Sequence, residues 1–266
     1  MARRRKRASQ SRTGRAVKYI LTALAAVVAA FFGFFFAGGF VQGSSTDVPK
    51  PAAVTEQAAP KAPDTADGAL AWEDIPAYAG KPYVVLNGNR PRFSKEIQSR
   101  KNAYYSFTPR DKLGRCGRAD GRLGPELLPK EKRKPIGMIK PTGWQYAKYS
   151  FVDGKYLYNR CHLIAFQLCG ENANRLNLIT GTRYFNVTGM LPFENRVADF
   201  IRNTHKHVLY SVTPVYRGDD LVARGVVMEA WSVEDDGKGV HFNVFVYNVQ
   251  PGVVINYADG TSREAR

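Results

Sequence analysis

The sequence predicts an α+β fold in which an antiparallel central sheet carries most of the core, preceded by one N-terminal transmembrane helix. Three observations favour this architecture. Segments rich in Val, Tyr and Phe fill the last third of the chain and are separated by short turn sequences. A single stretch ahead of them has the apolar period of a helix. A long uncharged run lies near the N-terminus.

Residues 1–69 are expected to lie outside the folded domain. A basic arm, residues 1–18, precedes an apolar run, and residues 19–42 have the length of a membrane span. Basic residues flank only the N-terminal side of this run, which predicts a single-pass signal anchor in the cell membrane, with a cytoplasmic arm and an extracellular C-terminal domain. A cleaved signal peptide is the competing interpretation, and it makes the protein secreted. Residues 43–69, rich in Ala, Pro, Thr and Ser, are typical of a disordered linker.

The net charge of +16 divides between the arm and the rest of the chain. The first 45 residues hold eight Lys and Arg residues and no acid, which leaves +8 on the remainder. Such an excess favours a polyanionic partner, because each neutralised phosphate releases counterions. A basic domain that is merely soluble is the alternative. The sequence indicates no small-molecule cofactor and does not identify a protein partner.

The three cysteines are too few to form a disulfide scaffold. Cys116, Cys161 and Cys169 allow at most one intramolecular bridge. They also lack the paired spacing of a zinc site. Buried thiols or a single bridge are therefore expected.

The folded domain, residues 70–266, is expected to begin with a short strand. Residues 82–86 are apolar, and residues 87–89 read as the turn that ends the strand. Residues 90–150 are expected to form loops and short helices, with Ser94 capping one of the helices. Basic and aromatic side chains alternate through this region. They fit a nucleic-acid surface and fit solvated loops with aromatic anchors equally well.

In the middle of the domain, the sequence predicts a strand, a connection, a second strand or loop, and a helix. Residues 155–166 read as a strand or hairpin arm that carries Arg160 and His162, and residues 176–180 read as the second strand. Residues 190–202 have helical periodicity. Three further strands are predicted at residues 207–216, 221–233 and 240–249. We expect these three to form an antiparallel meander that is the floor under the site.

The polar residues of the middle segment are suited to cleaving a phosphodiester bond. That reaction needs a base for water and an electrophile for the developing charge. His162 is the candidate general base, because histidine titrates near neutral pH. Asn186 is the candidate ligand for Mg²⁺, which prefers oxygen donors and keeps most of its water, and Glu194 could orient water on the metal. The guanidinium groups that could hold phosphate are those of Arg160, Arg183 and Arg196.

These residues also carry a resemblance to a known family. The motif at residues 159–162 reads Asn-Arg-Cys-His, and residues 177–180 read Asn-Leu-Ile-Thr. Asn186 follows Asn177 by nine residues, and Glu194 follows Asn186 by eight. This block resembles the active site of the DNA/RNA non-specific endonucleases of the ββα-metal (His-Me finger) superfamily, in the branch of secreted and membrane-anchored bacterial DNases that includes DNA-entry nucleases. Upstream, Leu-Gly-Arg at residues 113–115 resembles a motif of that branch.

The resemblance implies a ββα-metal finger site and a role for each matching residue. His162 would be the general base, Asn186 the Mg²⁺ ligand and Glu194 the group that positions water on the metal, with Mn²⁺ as a substitute cation. Asn177 would support the site by hydrogen bonds, and Arg160 belongs to the catalytic motif. Phosphate contacts are implied for Arg115 and Arg196. The expected substrate is DNA, with RNA as a second candidate.

Two positions depart from the family motif. Asn159 stands where the family usually has Asp, and Cys161 where it usually has Gly. Asparagine carries no negative charge with which to raise the basicity of the histidine. A membrane-tethered, non-catalytic DNA-binding module with a degenerate nuclease fold is therefore the alternative hypothesis. An anchored adhesin or envelope protein is a third, and it predicts only weak DNA binding without a steep salt dependence.

Overall fold

The computed structural model describes residues 70–266. The predicted arm (1–18), transmembrane anchor (19–42) and linker (43–69) all lie outside the described residues. Within the described range, no helix combines the length and the apolar content that a bilayer crossing requires.

A six-stranded antiparallel sheet forms the centre of the domain, as predicted. Its strands are β1 (Tyr83–Val85), β2 (Tyr104–Phe107), β3 (Ala119–Leu123), β6 (Val208–Val215), β7 (Gly225–Ser232) and β8 (His241–Tyr247). They lie in the order β1-β8-β7-β6-β3-β2. The long meander β6-β7-β8 therefore makes up the middle of the sheet, and its three strands fall within the three segments predicted from their Val, Tyr and Phe content.

The prediction of only loops and short helices for residues 90–150 is wrong, because β2 and β3 lie within that range. β3 pairs with β6 over five residues and buries Ala119, Gly121 and Leu123 on one face. The alternation is weak in the sequence because Ala119, Asp120 and Gly121 are of residue types that are depleted in strands. Pairing with a strand distant in the chain supplies the stabilisation that the local sequence lacks. The predicted cap is confirmed, since Ser94 Oγ accepts a 3.3 Å hydrogen bond from the Ile97 amide in helix α1 (Lys95–Ser99).

A second, smaller unit consists of a hairpin followed by a helix. β4 (Tyr158–His162) pairs antiparallel with β5 (Leu178–Thr182), and the short helix α2 (Phe166–Cys169) lies in the connection between them. A π-helical turn, Phe185–Met190, then leads into α3 (Leu191–Thr204). The helix predicted at residues 190–202 is confirmed. The remaining strands are β9 (Val253–Ile255) and β10 (Ser262–Glu264), and short 3₁₀ turns lie at Trp72–Asp74, Asn87–Asn89 and Pro125–Leu127.

The main core lies between the sheet and this hairpin-helix unit. On β8, Phe242, Val244 and Val246 point into it. Phe245 and Tyr247 point to the opposite face, where the segment that begins near residue 70 covers them. Because both faces of β8 are covered, its sequence is apolar almost throughout and does not alternate.

One buried amide joins the hairpin to the sheet. Asn248 directly follows β8, and its side chain donates to the carbonyl groups of Thr180 (3.1 Å) and Ala223 (2.9 Å). Its carbonyl oxygen accepts from the Thr182 amide at 2.9 Å. These bonds satisfy backbone groups that would otherwise be buried without partners, and they fix the position of β5 on the sheet.

All three cysteines are buried free thiols. Cys161 is packed in the main core, where it pairs with Ile179 of β5 and lies diagonally next to Gly181. A Cβ atom at Gly181 would lie only 2.6 Å from the Cys161 sulfur and would also overlap the Phe185 ring. The small residue on β5 therefore provides the space for the Cys161 side chain.

Candidate active site

A cleft of about 740 Å³ opens between the hairpin-helix unit and the loops that precede it. It brings together five of the eight residues predicted from the sequence: His162, Glu194, Asn186, Arg160 and Arg183. Asn159 also lines it. Asn177, Arg115 and Arg196 are not among its lining residues.

His162 is the last residue of β4, and its ring is held by one hydrogen bond. Nε2 lies 2.8 Å from the backbone carbonyl oxygen of Asn172. A carbonyl oxygen can only accept, so Nε2 carries the proton and Nδ1 has the unshared electron pair. Within residues 70–266, Nδ1 makes no hydrogen bond of its own. The ring is therefore fixed in one tautomer with a basic nitrogen available.

The environment of His162 favours its neutral form. Burial lowers the pKa of the imidazole below its usual value, and the positive charge of Arg133 lowers it further. The hydrogen bond to Asn172 opposes both effects. Since the net direction is downward, the imidazole is unprotonated and able to accept a proton near neutral pH.

Asn177 lies behind the histidine and is fully buried. Its side-chain oxygen accepts from the Ile164 amide at 2.8 Å, and its side-chain nitrogen donates to the Ile164 carbonyl at 3.0 Å. Its own backbone carbonyl accepts from the Leu163 amide at 2.9 Å. These three bonds fix the two residues that follow His162.

Asn186 and Glu194 reach the cleft from consecutive helical turns. Asn186 is in the π-helical turn, a geometry that is frequent at functional sites. Glu194 lies in the first turn of α3 and is only 8% exposed. Burial raises the pKa of Glu194 to about 8, and the charge of Arg133 opposes this shift. Among the residues that the structure describes, neither side chain has a hydrogen-bond partner.

This pair of side chains fits a hard divalent cation. A buried carboxylate without a partner is unfavourable in its charged form, and a nearby cation would compensate that charge. The amide oxygen of Asn186 is a suitable ligand for Mg²⁺. No group of three or more His, Cys, Asp and Glu side chains within residues 70–266 could hold a metal ion. The donor set suits a cation that keeps most of its water, as Mg²⁺ does.

The guanidinium group of Arg160 is used within the protein. It donates to the backbone carbonyl groups of Ile139 and Gly137, the second at 2.7 Å. Its central carbon lies 4.0 Å from the centre of the Trp144 ring. Arg160 thereby fixes the loop of residues 137–139 and one side of the cleft.

The other predicted arginines differ in their surroundings. Arg183 lies in the cleft and forms a 2.7 Å ion pair with Asp153, which is largely exposed. Arg115 instead holds its own loop by pairing with Asp111 at 2.7 Å, and it ties that loop to the β6–β7 connection by donating to the Gly218 carbonyl at 2.7 Å. Arg196 is exposed on α3, with a long 3.4 Å bond to the Gly239 carbonyl.

Two residues of the site were not identified from the sequence. Asn172 acts through its backbone carbonyl, which has no residue-type signature. Arg133 lines the cleft and has no hydrogen bond or ion pair in the described part of the chain. Four of the five residues at 130–134 are basic, which marks the region as positive but does not indicate which side chain faces the cleft.

Comparison with known proteins relates this chain to nucleases. Residues 94–234 match the sequence model of a family described as DNA/RNA non-specific endonuclease. A curated deoxyribonuclease from Streptococcus dysgalactiae subsp. equisimilis is 38% identical over 131 residues, which are 47% of this chain. The matched region is 37% of that relative, so the chain spans little more than a third of its length.

Solved structures of nucleases have the same fold. NucA from Streptococcus agalactiae with magnesium bound superimposes with a TM-score of 0.60 at 26% identity, over 68% of this chain and 87% of that one. The metal-free form of NucA superimposes with a TM-score of 0.62 at 26% identity, over 73% of this chain and 92% of that one. The Sda1 nuclease with bound zinc superimposes with a TM-score of 0.58 at 26% identity, over 70% of this chain and 97% of that one.

Proposed function

Because the chain belongs to the DNA/RNA non-specific endonuclease family, we propose that it is a Mg²⁺-dependent endonuclease that hydrolyses the phosphodiester bonds of DNA without sequence preference. RNA is proposed as a second substrate and Mn²⁺ as a substitute cation. One observation carries the proposal: His162, with Nε2 tied to Asn172 and Nδ1 available, lines the same cleft as Asn186 and Glu194.

In the proposed reaction, Nδ1 of His162 accepts the proton of the attacking water. The bond from Nε2 to the Asn172 carbonyl keeps the ring oriented and stabilises the imidazolium that forms, because the carbonyl dipole faces the protonated edge. Asn177 is proposed to maintain this position through its bonds to Ile164, which hold the chain directly after the histidine.

Asn186 would hold the cation through its amide oxygen, and Glu194 would orient water in the cation's shell. When bound, the cation stabilises the negative charge that develops on the phosphate and on the leaving oxygen. The absence of internal partners on both side chains within residues 70–266 supports this assignment, because each polar group is left available for a ligand.

Substrate phosphate is proposed to contact Arg133 and Arg183. Arg133 has no internal partner in the described region, and Arg183 pairs only with an exposed carboxylate that phosphate could replace. Arg160 is assigned a positioning role, because its donors are occupied by backbone carbonyl groups. Arg196 remains a candidate for phosphates remote from the scissile bond. Arg115 would act by maintaining its loop rather than by touching substrate.

A plasmid-degradation assay tests the proposed function. The full-length chain should convert supercoiled DNA to fragments with Mg²⁺, and EDTA should abolish the conversion. His162→Ala is the matched control for a contaminating nuclease. If metal makes no difference and His162→Ala behaves as the unmodified chain does, the protein is a non-catalytic DNA-binding module instead.

The cellular location is also proposed from the sequence. Residues 19–42 would anchor the protein in the cell membrane with the nuclease domain outside. Washed intact cells that express the chain should then degrade added plasmid, and cell-free medium should not. Activity in the medium alone would indicate a cleaved, secreted form, and activity only after lysis would contradict both locations.

A further inference from the structure

We propose that the cleft contains a stacking site for unpaired bases, formed by Tyr146 and Tyr156, and that the protein therefore binds single-stranded nucleic acid more tightly than duplex. The inference rests on the proposed nuclease function and specifies the form of substrate that this function acts on. It goes beyond phosphate recognition, because a phosphate contact is the same for a paired and an unpaired strand.

The two tyrosines lie on the arms of one hairpin. Lys148 and Tyr156 face each other as antiparallel partners. The Leu157 amide donates to the Ala147 carbonyl at 3.0 Å, which fixes the register of the two arms. Since alternate residues of an extended chain point the same way, Trp144, Tyr146 and Lys148 share the face that carries Tyr156 and Tyr158. Ring contacts agree, with Trp144 lying 5.9 Å from Tyr146 and 6.4 Å from Tyr158.

Exposure increases along this aromatic face. Tyr158 is buried, and Trp144 is partly buried with Arg160 stacked on it. Tyr156 is 51% exposed and Tyr146 is 71% exposed, although both line the cleft that holds His162, Asn186 and Glu194. The partly buried Trp144 ring therefore supports Tyr146, and both outer rings have surface available to a ligand. Large aromatic side chains that are left exposed beside a reactive site indicate a binding surface.

The charge beside the two rings indicates what binds there. The Lys148 ammonium lies 4.6 Å from the centre of the Tyr156 ring, and that of Lys140 lies 5.9 Å from the centre of the Tyr146 ring. Neither lysine has a carboxylate partner among residues 70–266. A strand of nucleic acid presents a planar base and an anionic phosphate at each step. Alternating rings and ammonium groups complement that pattern.

The expected preference follows from the geometry of the bases. In a duplex the base faces are stacked on each other, so a tyrosine ring can reach one only after the helix is opened. In a single strand the faces are accessible, and aromatic stacking adds to affinity for any base without sequence preference. Duplex binding would rely on the cationic side chains alone, namely Arg133, Arg183, Arg196 and the two lysines.

The test compares Tyr146→Ala/Tyr156→Ala with Tyr146→Phe/Tyr156→Phe in the full-length chain. Binding to a short single strand and to the matching duplex is measured in EDTA, where no cleavage is expected. The alanine variant should bind the single strand about tenfold more weakly and the duplex within about twofold of the unmodified chain, whereas the phenylalanine variant should match the unmodified chain on both. Phe151→Ala, which removes an exposed aromatic ring outside the cleft lining, should change neither affinity.

A single 2-aminopurine in the strand gives a direct readout of stacking. Its fluorescence should be quenched by the unmodified chain and by the phenylalanine variant, and not by the alanine variant. Equal losses on single strand and duplex, or no loss on either, would overturn the inference. So would a change in oligomeric state of the alanine variant with unchanged DNA binding, because the face would then contact protein. Failure of the nuclease proposal would appear separately, as no metal-dependent cleavage by the unmodified chain.

Discussion

The Nε2 atom of His162 lies 2.8 Å from the backbone carbonyl oxygen of Asn172, ten residues further along the chain. This contact determines which ring nitrogen can act as a base. The connection between β4 and β5 therefore has a chemical role as well as a topological one, because it places a carbonyl group behind the histidine. Asn172 is itself fixed, since its side-chain oxygen accepts from the Lys134 amide at 3.3 Å.

Removing the base should abolish most of the activity and leave the fold intact. His162→Ala is expected to lower kcat by roughly 10²- to 10⁴-fold, the usual contribution of a positioned general base. In His162→Gly, added imidazole should restore part of the rate, because a diffusing base can occupy the vacated space. Single-turnover cleavage with and without imidazole measures this. No recovery at any imidazole concentration would argue against a role as base alone.

The acid limb of the pH profile should lie below the ordinary pKa of histidine. Burial lowers the pKa of His162 from 6.5, and the base must be neutral to act, so kcat should reach half its plateau below that pH. Arg133→Ala should move the limb to higher pH, because the charge of Arg133 contributes to the lowering. Arg183→Ala is the matched control and should leave the limb in place. A limb above 6.5 in the unmodified chain would contradict the assignment.

Asn186→Ala should abolish metal-supported turnover at ordinary Mg²⁺ concentrations while leaving the melting temperature nearly unchanged, because the side chain has no internal hydrogen bond within residues 70–266. Asn195→Ala is the matched control. It removes an amide from the same cleft whose contact is a 2.8 Å bond from Gln167. Turnover as a function of Mg²⁺ concentration distinguishes the two variants. Full activity of Asn186→Ala would place the ligand elsewhere.

Without metal, stability should fall as the pH rises. The folded-state pKa of Glu194, about 8, lies above the ordinary value of 4.5, so its contribution is fully present below 4.5 and is lost as the pH rises through 8. Glu194→Gln should remove this part of the slope and be the more stable form at alkaline pH. Urea unfolding in EDTA, repeated between pH 4.5 and pH 8, measures how the free energy of unfolding changes with pH. Adding Mg²⁺ should reduce the slope of the unmodified chain only, and an unchanged slope in the variant would refute the assignment.

Asn177→Ala should destabilise the domain. It leaves the amide and the carbonyl of Ile164 buried without partners, at a cost of about 1–3 kcal/mol for each group. Asn174→Ala, which removes a single 2.9 Å bond to the Leu176 amide in a turn, should cost about 1 kcal/mol or less. Urea midpoints of the two variants provide the comparison. Equal midpoints would show that the buried bonds of Asn177 are replaced by water.

The sequence by itself determined the family and much of the architecture. The spacing of Asn177, Asn186 and Glu194 indicated the nuclease family, and the match to the family model confirms that the chain belongs to it. The apolar period of α3 and the long apolar runs of β6, β7 and β8 were legible because each pattern extends over many residues. Local periodicity reports whether a segment has one buried face or two, and these elements are long enough to show it.

The tertiary structure alone decided which polar groups meet. β3 was hidden because Ala119, Asp120 and Gly121 are of types that are depleted in strands, and its stability comes from pairing with β6 almost ninety residues later. The tautomer of His162 depends on a backbone carbonyl, a group that every residue has. Arg133 differs from its basic neighbours in that its side chain lines the cleft, and the residue type does not reveal this. Contacts between distant segments leave no period in the sequence, so the shape of the site became visible only when the chain was folded.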